Sequence, residues 1–185
     1  MPRIVTDRSD TLEPLARVFR ERGYEGASVA MLCEATGLGK GSLYHFYPNG
    51  KAEMAAAVLA ALDDWFETNV FSPLKSAADG KRAVGAMLDL LTESYRSGQH
   101  VCIFGMLALG SARDEFAAAI AGYFEKWIDA LQVPLQQAGF AEARPISQEI
   151  IASIQGARVL ARALDDADVF NDAMDRIREK FVSKA

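Results

Sequence analysis

Lys40, Ser42, Tyr44 and His45 fall within the seven-residue run Lys-Gly-Ser-Leu-Tyr-His-Phe and offer a cation, a hydroxyl, a phenol and an imidazole. That set of groups matches phosphate oxygens and base edges rather than any catalytic cycle. Wound as a helix, the run turns Leu43 and Phe46, three residues apart, toward one side and leaves the four polar groups on the other. Between Glu34 and Glu53 there is no carboxylate, whereas Lys40, His45 and Lys51 all lie there. A polyanion meets a favourable window at this point.

A preceding helix positions this face. Ser28 can accept a bond from a first-turn amide as an N-cap, and Val29, Leu32 and Cys33 then share one apolar stripe. Gly37 suits the left-handed conformation that commonly ends a helix, Leu38 can turn back to the core, and Gly39 is a weak cap for the next helix. Two short helices broken at residues 36–39 are the layout of a helix-turn-helix.

Outside this window the charge is unfavourable to nucleic acid. The chain carries 20 Lys and Arg against 25 Asp and Glu, a net charge of −5, which excludes a general polyanion binder. Residues 1–56 hold seven basic and seven acidic side chains and residues 57–185 hold 13 and 18, so the acidic excess lies wholly downstream.

The strings Gly23-Tyr24-x-x-x-Ser28 and Ala35-x-Gly37-Leu38-x-Lys40-Gly41-Ser42-Leu43-Tyr44-His45-Phe46-Tyr47 resemble the DNA-binding domain of the TetR family of bacterial transcriptional regulators, over residues 8–54. The resemblance implies that Lys40, Gly41, Ser42, Tyr44 and His45 lie at the major groove beside Ser28, and that Lys51 meets a phosphate. It implies further a homodimer on palindromic double-stranded operator DNA, released by a small effector. Three departures stand out: Gly39 where Ser or Thr is usual, Cys33 where a small residue such as Ala is usual, and a link Pro48-Asn49-Gly50-Lys51 one residue longer than the common form. The longer link is similar to that of the LmrA/YxaF-like branch.

Helical periodicity runs through the rest. Leu12, Leu15, Ala16 and Phe19 form a first helix stopping before Gly23. Further helices are expected at about 51–70, broken by Pro73 and residues 77–80, then at about 81–97, 101–110, 113–138 ending at Gly139, 147–164 and 169–181. The expectation is an all-α chain of about nine helices: a three-helix helix-turn-helix domain at 1–50, then an effector-binding and dimerisation domain at 51–185. No segment approaches the ~20 apolar residues of a membrane span, and the first residues lack the apolar stretch of a signal peptide. Two cysteines, Cys33 and Cys102, give no disulfide framework and suit a cytoplasmic setting.

Large apolar groups crowd the middle of the chain. Trp65, Phe66, Met87, Leu91 and Tyr95, followed by Cys102, Phe104 and Met106 and then Tyr123, Phe124 and Trp127, are candidates to line an effector cavity, with Tyr95, Tyr123 or Gln99 as polar anchors. Residue by residue, the same groups are also the ordinary makings of a core, since most buried aromatics are packing. Ile150, Ile154, Ala157, Ala161 and Leu164 line one face near the C-terminus, and Phe170, Ala173, Ile177 and Phe181 form a matching stripe. These stripes either close the monomer core or, as the resemblance implies, build a four-helix dimer interface.

His100 beside Cys102 opens an alternative, a redox- or electrophile-responsive repressor sensing through Cys102. Otherwise Cys102 is a small hydrophobe opening an apolar helix. With two histidines, no nucleophile elbow and no Gly-rich phosphate loop, no enzyme, metal or cofactor is expected. A helical enzyme or adaptor that does not bind DNA is the remaining rival.

Overall fold

The computed structural model describes residues 7–95 and 100–183, so Gln99 lies outside the described residues. The chain is all-helical among them: α1 Leu12–Gly26, α2 Val29–Thr36, α3 Lys40–Phe46, α4 Lys51–Phe66, α5 Ser72–Ser76, α6 Gly80–Ser94, α7 Ile103–Leu109, α8 Ala117–Gln137, α9 Ala143–Leu164 and α10 Asp168–Arg178. Two compact units share them. One runs to Asp64 and takes in Cys102–Ala121; the other comprises Trp65–Val101 and the chain from Gly122 onward.

In the first unit α1 is regular until Gly23, whose φ of 71° and ψ of 171° break the helix where the sequence places its stop. Leu15 and Phe19 of α1, Leu32 of α2, Leu43 of α3 and Met54 and Val58 of α4 are all buried. They are the apolar stripes that the helical period brings to one side. Phe104 and Leu107 of α7 and Phe116 beyond it are buried as well, and Phe116 meets Tyr24 edge-on with ring centres 5.3 Å apart.

The second unit holds one segment more than the periodicity suggests. Pro73 does not end the helical path after α4. A π-helical turn at Glu67–Phe71 leads into α5, where proline occupies the first turn, a position that tolerates its missing N–H and fixed φ. The real stop is Ala77, which is extended, and Asp79 then caps α6 by accepting the Arg82 amide at 3.0 Å. Gly80 lies so close to α8 that a β-carbon there would stand 2.1 Å from the carbonyl oxygen of Pro134. A second π-helical turn, Glu179–Ser183, carries α10 to Phe181, which is buried.

Candidate nucleic-acid interface

Helix α2 starts and stops as its residues dictate. Ser28 Oγ accepts the Met31 amide at 3.3 Å, and Gly37 takes φ 71° to end it. Thr36, fully inside, donates its hydroxyl to the Leu32 carbonyl at 2.8 Å and accepts the Leu38 amide at 3.4 Å, so the turn is tied to the helix before it. Gly39 opens α3 in extended conformation with no side-chain cap.

From the seven residues of α3, Leu43 alone is buried. Lys40, Gly41, Ser42 and His45 are exposed, and Tyr44 is half-buried. Tyr44 lies along the link that follows, with its ring 3.6 Å from where a β-carbon of Gly50 would be, and the Lys40 ammonium stands 5.7 Å from the ring centre. Sequence spacing therefore separates inward from outward positions, but Phe46 is only half-buried. The main inward anchor at this end is Tyr47.

Tyr47 was not marked by spacing and is fully buried. Its hydroxyl shares a 2.6 Å hydrogen bond with Thr11, and Thr11 donates to the Arg8 carbonyl, also at 2.6 Å. The Arg8 guanidinium covers the Tyr47 ring at 4.6 Å and pairs with Glu53 at 3.1 Å, while Glu53 accepts the Asn49 amide at 2.9 Å. The longer link at 48–51 is thus held by Glu53 from α4. The only signal in the sequence was two aromatic residues following His45, without the long-range partners that make the second one a strut.

Lys51 donates to the Tyr24 carbonyl at 2.9 Å and lies over the Tyr24 ring at 4.4 Å. The ammonium closes the end of α1, a role that favours positive charge, and keeps further N–H donors. Tyr24 is pushed up to about 12, first by burial and then by the Glu115 carboxylate beside it. Next to it Glu25 accepts from Ser111 Oγ and from the Ala112 amide, and the Ser111 hydroxyl in particular holds its carboxyl below the usual value. The turn after α7 is thereby fastened to the end of α1.

The expected effector residues divide between the units. Cys102, Phe104 and Met106 belong to the first, where Cys102 Sγ accepts the Gly105 amide at 3.4 Å as the cap of α7. Trp65, Phe66, Met87, Leu91, Tyr95, Tyr123, Phe124 and Trp127 belong to the second. Phe66, Tyr123 and Trp127 form one aromatic cluster with centre separations of 5.1 to 5.9 Å, and the Trp127 indole N–H is buried without a hydrogen-bond partner among the described residues. A surface cleft of about 470 Å³ in this unit is lined by Val70, Leu74, Met87 and Leu90 among others; of the expected residues only Met87 reaches it.

Of the expected dimer residues, Ile150, Ile154, Ala157, Ala161, Phe170, Ile177 and Phe181 are at most 6% exposed in the single chain. Their stripes fill the chain's own core, and only Leu164, 64% exposed, is open to a partner. The opposite side of α9 is apolar as well: Val159 and Leu160 are 63% and 53% exposed, in line with exposed Ala152, Gly156 and Ala163. The expected stripe and the accessible one are thus different sides of the same helix.

Paired short helices, the second offering an uncapped polar face, define a helix-turn-helix regulator of transcription. Residues 12–58 match the family described as bacterial regulatory proteins, tetR family, and residues 81–176 match the transcriptional regulator LmrA/YxaF-like C-terminal domain. The chain belongs to the TetR family of DNA-binding transcriptional regulators, in its LmrA/YxaF-like branch. It is 25% identical over 167 residues to the uncharacterized HTH-type transcriptional regulator YxaF of Bacillus subtilis, covering 85% of this chain and 87% of that one. A TetR-family regulator from Agrobacterium tumefaciens shares the fold at TM-score 0.83 and 20% identity, over 95% of this chain and 97% of the other. The regulator CifR, solved as a cysteine mutant with 26-bp double-strand operator DNA, does so at TM-score 0.78 and 20% identity, over 96% and 98%.

Proposed function

We propose that this chain is a repressor that binds a palindromic operator as a homodimer and is released by a small, largely apolar effector in the cytoplasm. The observation that carries the DNA reading is the exposed face of α3, where Lys40, Ser42 and His45 stand with Tyr44 at the edge and no carboxylate occurs from Ala35 to Ala52. Lys40 and His45 supply phosphate and base-edge donors, Ser42 and Tyr44 hydroxyls that donate or accept, and Gly41 room for close approach. Ser28 presents its exposed hydroxyl at the start of α2. Lys51, with one N–H on Tyr24, keeps donors for a phosphate. CifR, with operator DNA in its own structure, supports the reading by its fold.

Two copies are needed because a helix of seven residues reads few base pairs. The exposed Val159, Leu160 and Leu164 face of α9, flanked by Ala and Gly, supports pairing there, since contiguous exposed apolar surface marks an interaction site. For the effector, support comes from the aromatic interior of the second unit and from a cleft whose volume is in the range of small-molecule sites. An effector that binds one arrangement of the dimer better than the DNA-bound one shifts the population away from DNA.

Gel-shift titration against the DNA flanking the protein's own gene tests the assignment. Wild type is expected to bind specifically and to lose affinity steeply with salt. Tyr44→Ala and Lys40→Ala should each weaken binding by about tenfold, the scale of one good groove or phosphate contact, with melting temperature little changed. Unchanged affinity in both variants would mean that α3 does not face DNA.

A further inference from the structure

Arg158 is the one charged side chain in the buried class among the described residues, at 6% exposure. It projects from α9 onto Tyr95, with its guanidinium carbon 3.7 Å from the ring centre. Nε, at 3.0 Å, and Nη2 both donate to the same acceptor, the carbonyl of His100. Nη1 is buried and has no hydrogen-bond partner among the described residues. No carboxylate among the described residues forms an ion pair with it.

A buried cation without a counter-charge is costly, and an aromatic face and one carbonyl offset only part of that cost. Holding the His100 carbonyl requires one neutral donor, not a guanidinium. Three residues earlier, on the same face of α9, Gln155 buries its amide nitrogen, also without a partner among the described residues. The edge that Nη1 and Nη2 present fits the two oxygens of a carboxylate in the parallel geometry that arginine favours. Tyr95, which itself meets the Phe170 ring at 6.3 Å, adds an aromatic wall.

We propose that Arg158, assisted by Gln155, anchors the carboxylate of a small organic acid whose apolar body packs toward Tyr95 and Phe170. The proposal rests on the reading of this chain as effector-controlled and names the class of effector. An acid of this kind would neutralise the guanidinium, occupy Nη1 and bring its own hydrocarbon to an interior that is aromatic already. Entry requires local opening around Tyr95, since the guanidinium is closed from solvent in the single chain.

Binding is measured on the full chain without DNA, by thermal shift and by calorimetry at fixed ionic strength. The probes are hexanoate, benzoate and 3-phenylpropionate, each beside its neutral amide. At least one acid should raise the melting temperature while its amide does not. Arg158→Met, a replacement that buried charges tolerate, should weaken that acid by about tenfold or more, the worth of a charge-assisted pair. Arg158→Lys, which keeps charge but loses the fork, should fall between, and it stands in if the methionine variant does not fold. Equal shifts by acid and amide, undiminished binding to both variants, or no response of the wild type to any acid would each overturn the site. A gel shift run in parallel separates this from the reading beneath it: an acid that binds through Arg158 yet leaves DNA bound overturns effector release but not the carboxylate site.

Discussion

Gly41 has nothing within 4 Å of where a β-carbon would stand, and it lies on the exposed side of α3. Gly41→Ala is therefore expected to hold stability or raise it by up to about 1 kcal/mol, the helix-propensity difference, while a methyl group between helix and groove lowers operator affinity. Circular-dichroism melts and fluorescence anisotropy read the two effects separately; unchanged affinity would take Gly41 out of the interface. At this scale the sequence was legible where a side chain acts on its own neighbours. Ser28 caps α2 and Gly37 ends it because both effects are local in chain. Tyr47 and Arg158 were missed for the opposite reason: Thr11 and Arg8 lie 36 and 39 residues from Tyr47, and the His100 carbonyl lies 58 from Arg158. Nothing in the spacing of a tyrosine or an arginine announces partners so remote.

Between elements, Gly80 lies against the backbone of Pro134, where an added β-carbon would stand 2.1 Å from the carbonyl oxygen. Because the obstructing atom is a carbonyl rather than a flexible side-chain end, Gly80→Ala should destabilise the chain by roughly 1–3 kcal/mol or more, as overpacking does. A urea titration should show a lower midpoint at unchanged slope; an unchanged midpoint would mean that α6 and α8 have room to separate. Gly80 looks like a mere loop glycine in sequence, part of the 77–80 break, since its neighbour on α8 is more than fifty positions away. The same limit explains α5. Pro73 is a helix breaker by local rule, but in the first turn of a segment that follows a π-helical turn it breaks nothing. Most other helices were legible from the period of their apolar residues, with α9 starting four residues ahead of Ser147, at Ala143.

For the whole molecule, the proposed pairing of two copies assigns the interface to the outer side of α9, where Val159, Leu160 and Leu164 are exposed. Leu160→Glu is expected to leave helicity intact, since Leu160 is 53% exposed in the single chain, and to yield monomers with sharply reduced operator affinity. Sedimentation equilibrium with the gel shift checks this, and a variant that stays dimeric would move the interface elsewhere. The sequence could not choose the face because α9 is apolar on two sides, and periodicity reports a stripe without saying which body covers it. Only the packing of Ile150, Ile154 and Phe170 into the chain's own core leaves Val159, Leu160 and Leu164 outside. That division bears on descent. With α3 as the proposed DNA face, one copy of a duplicated gene could change the exposed Lys40, Ser42 or His45 without disturbing the buried Leu43 or Tyr47, and so acquire new target sequences. While both copies keep the same α9 surface they would still pair with each other, and the mixed pair would read a site with two unlike halves. Independence between such sister regulators would then begin at Val159 and Leu160, far along the chain from the proposed DNA face.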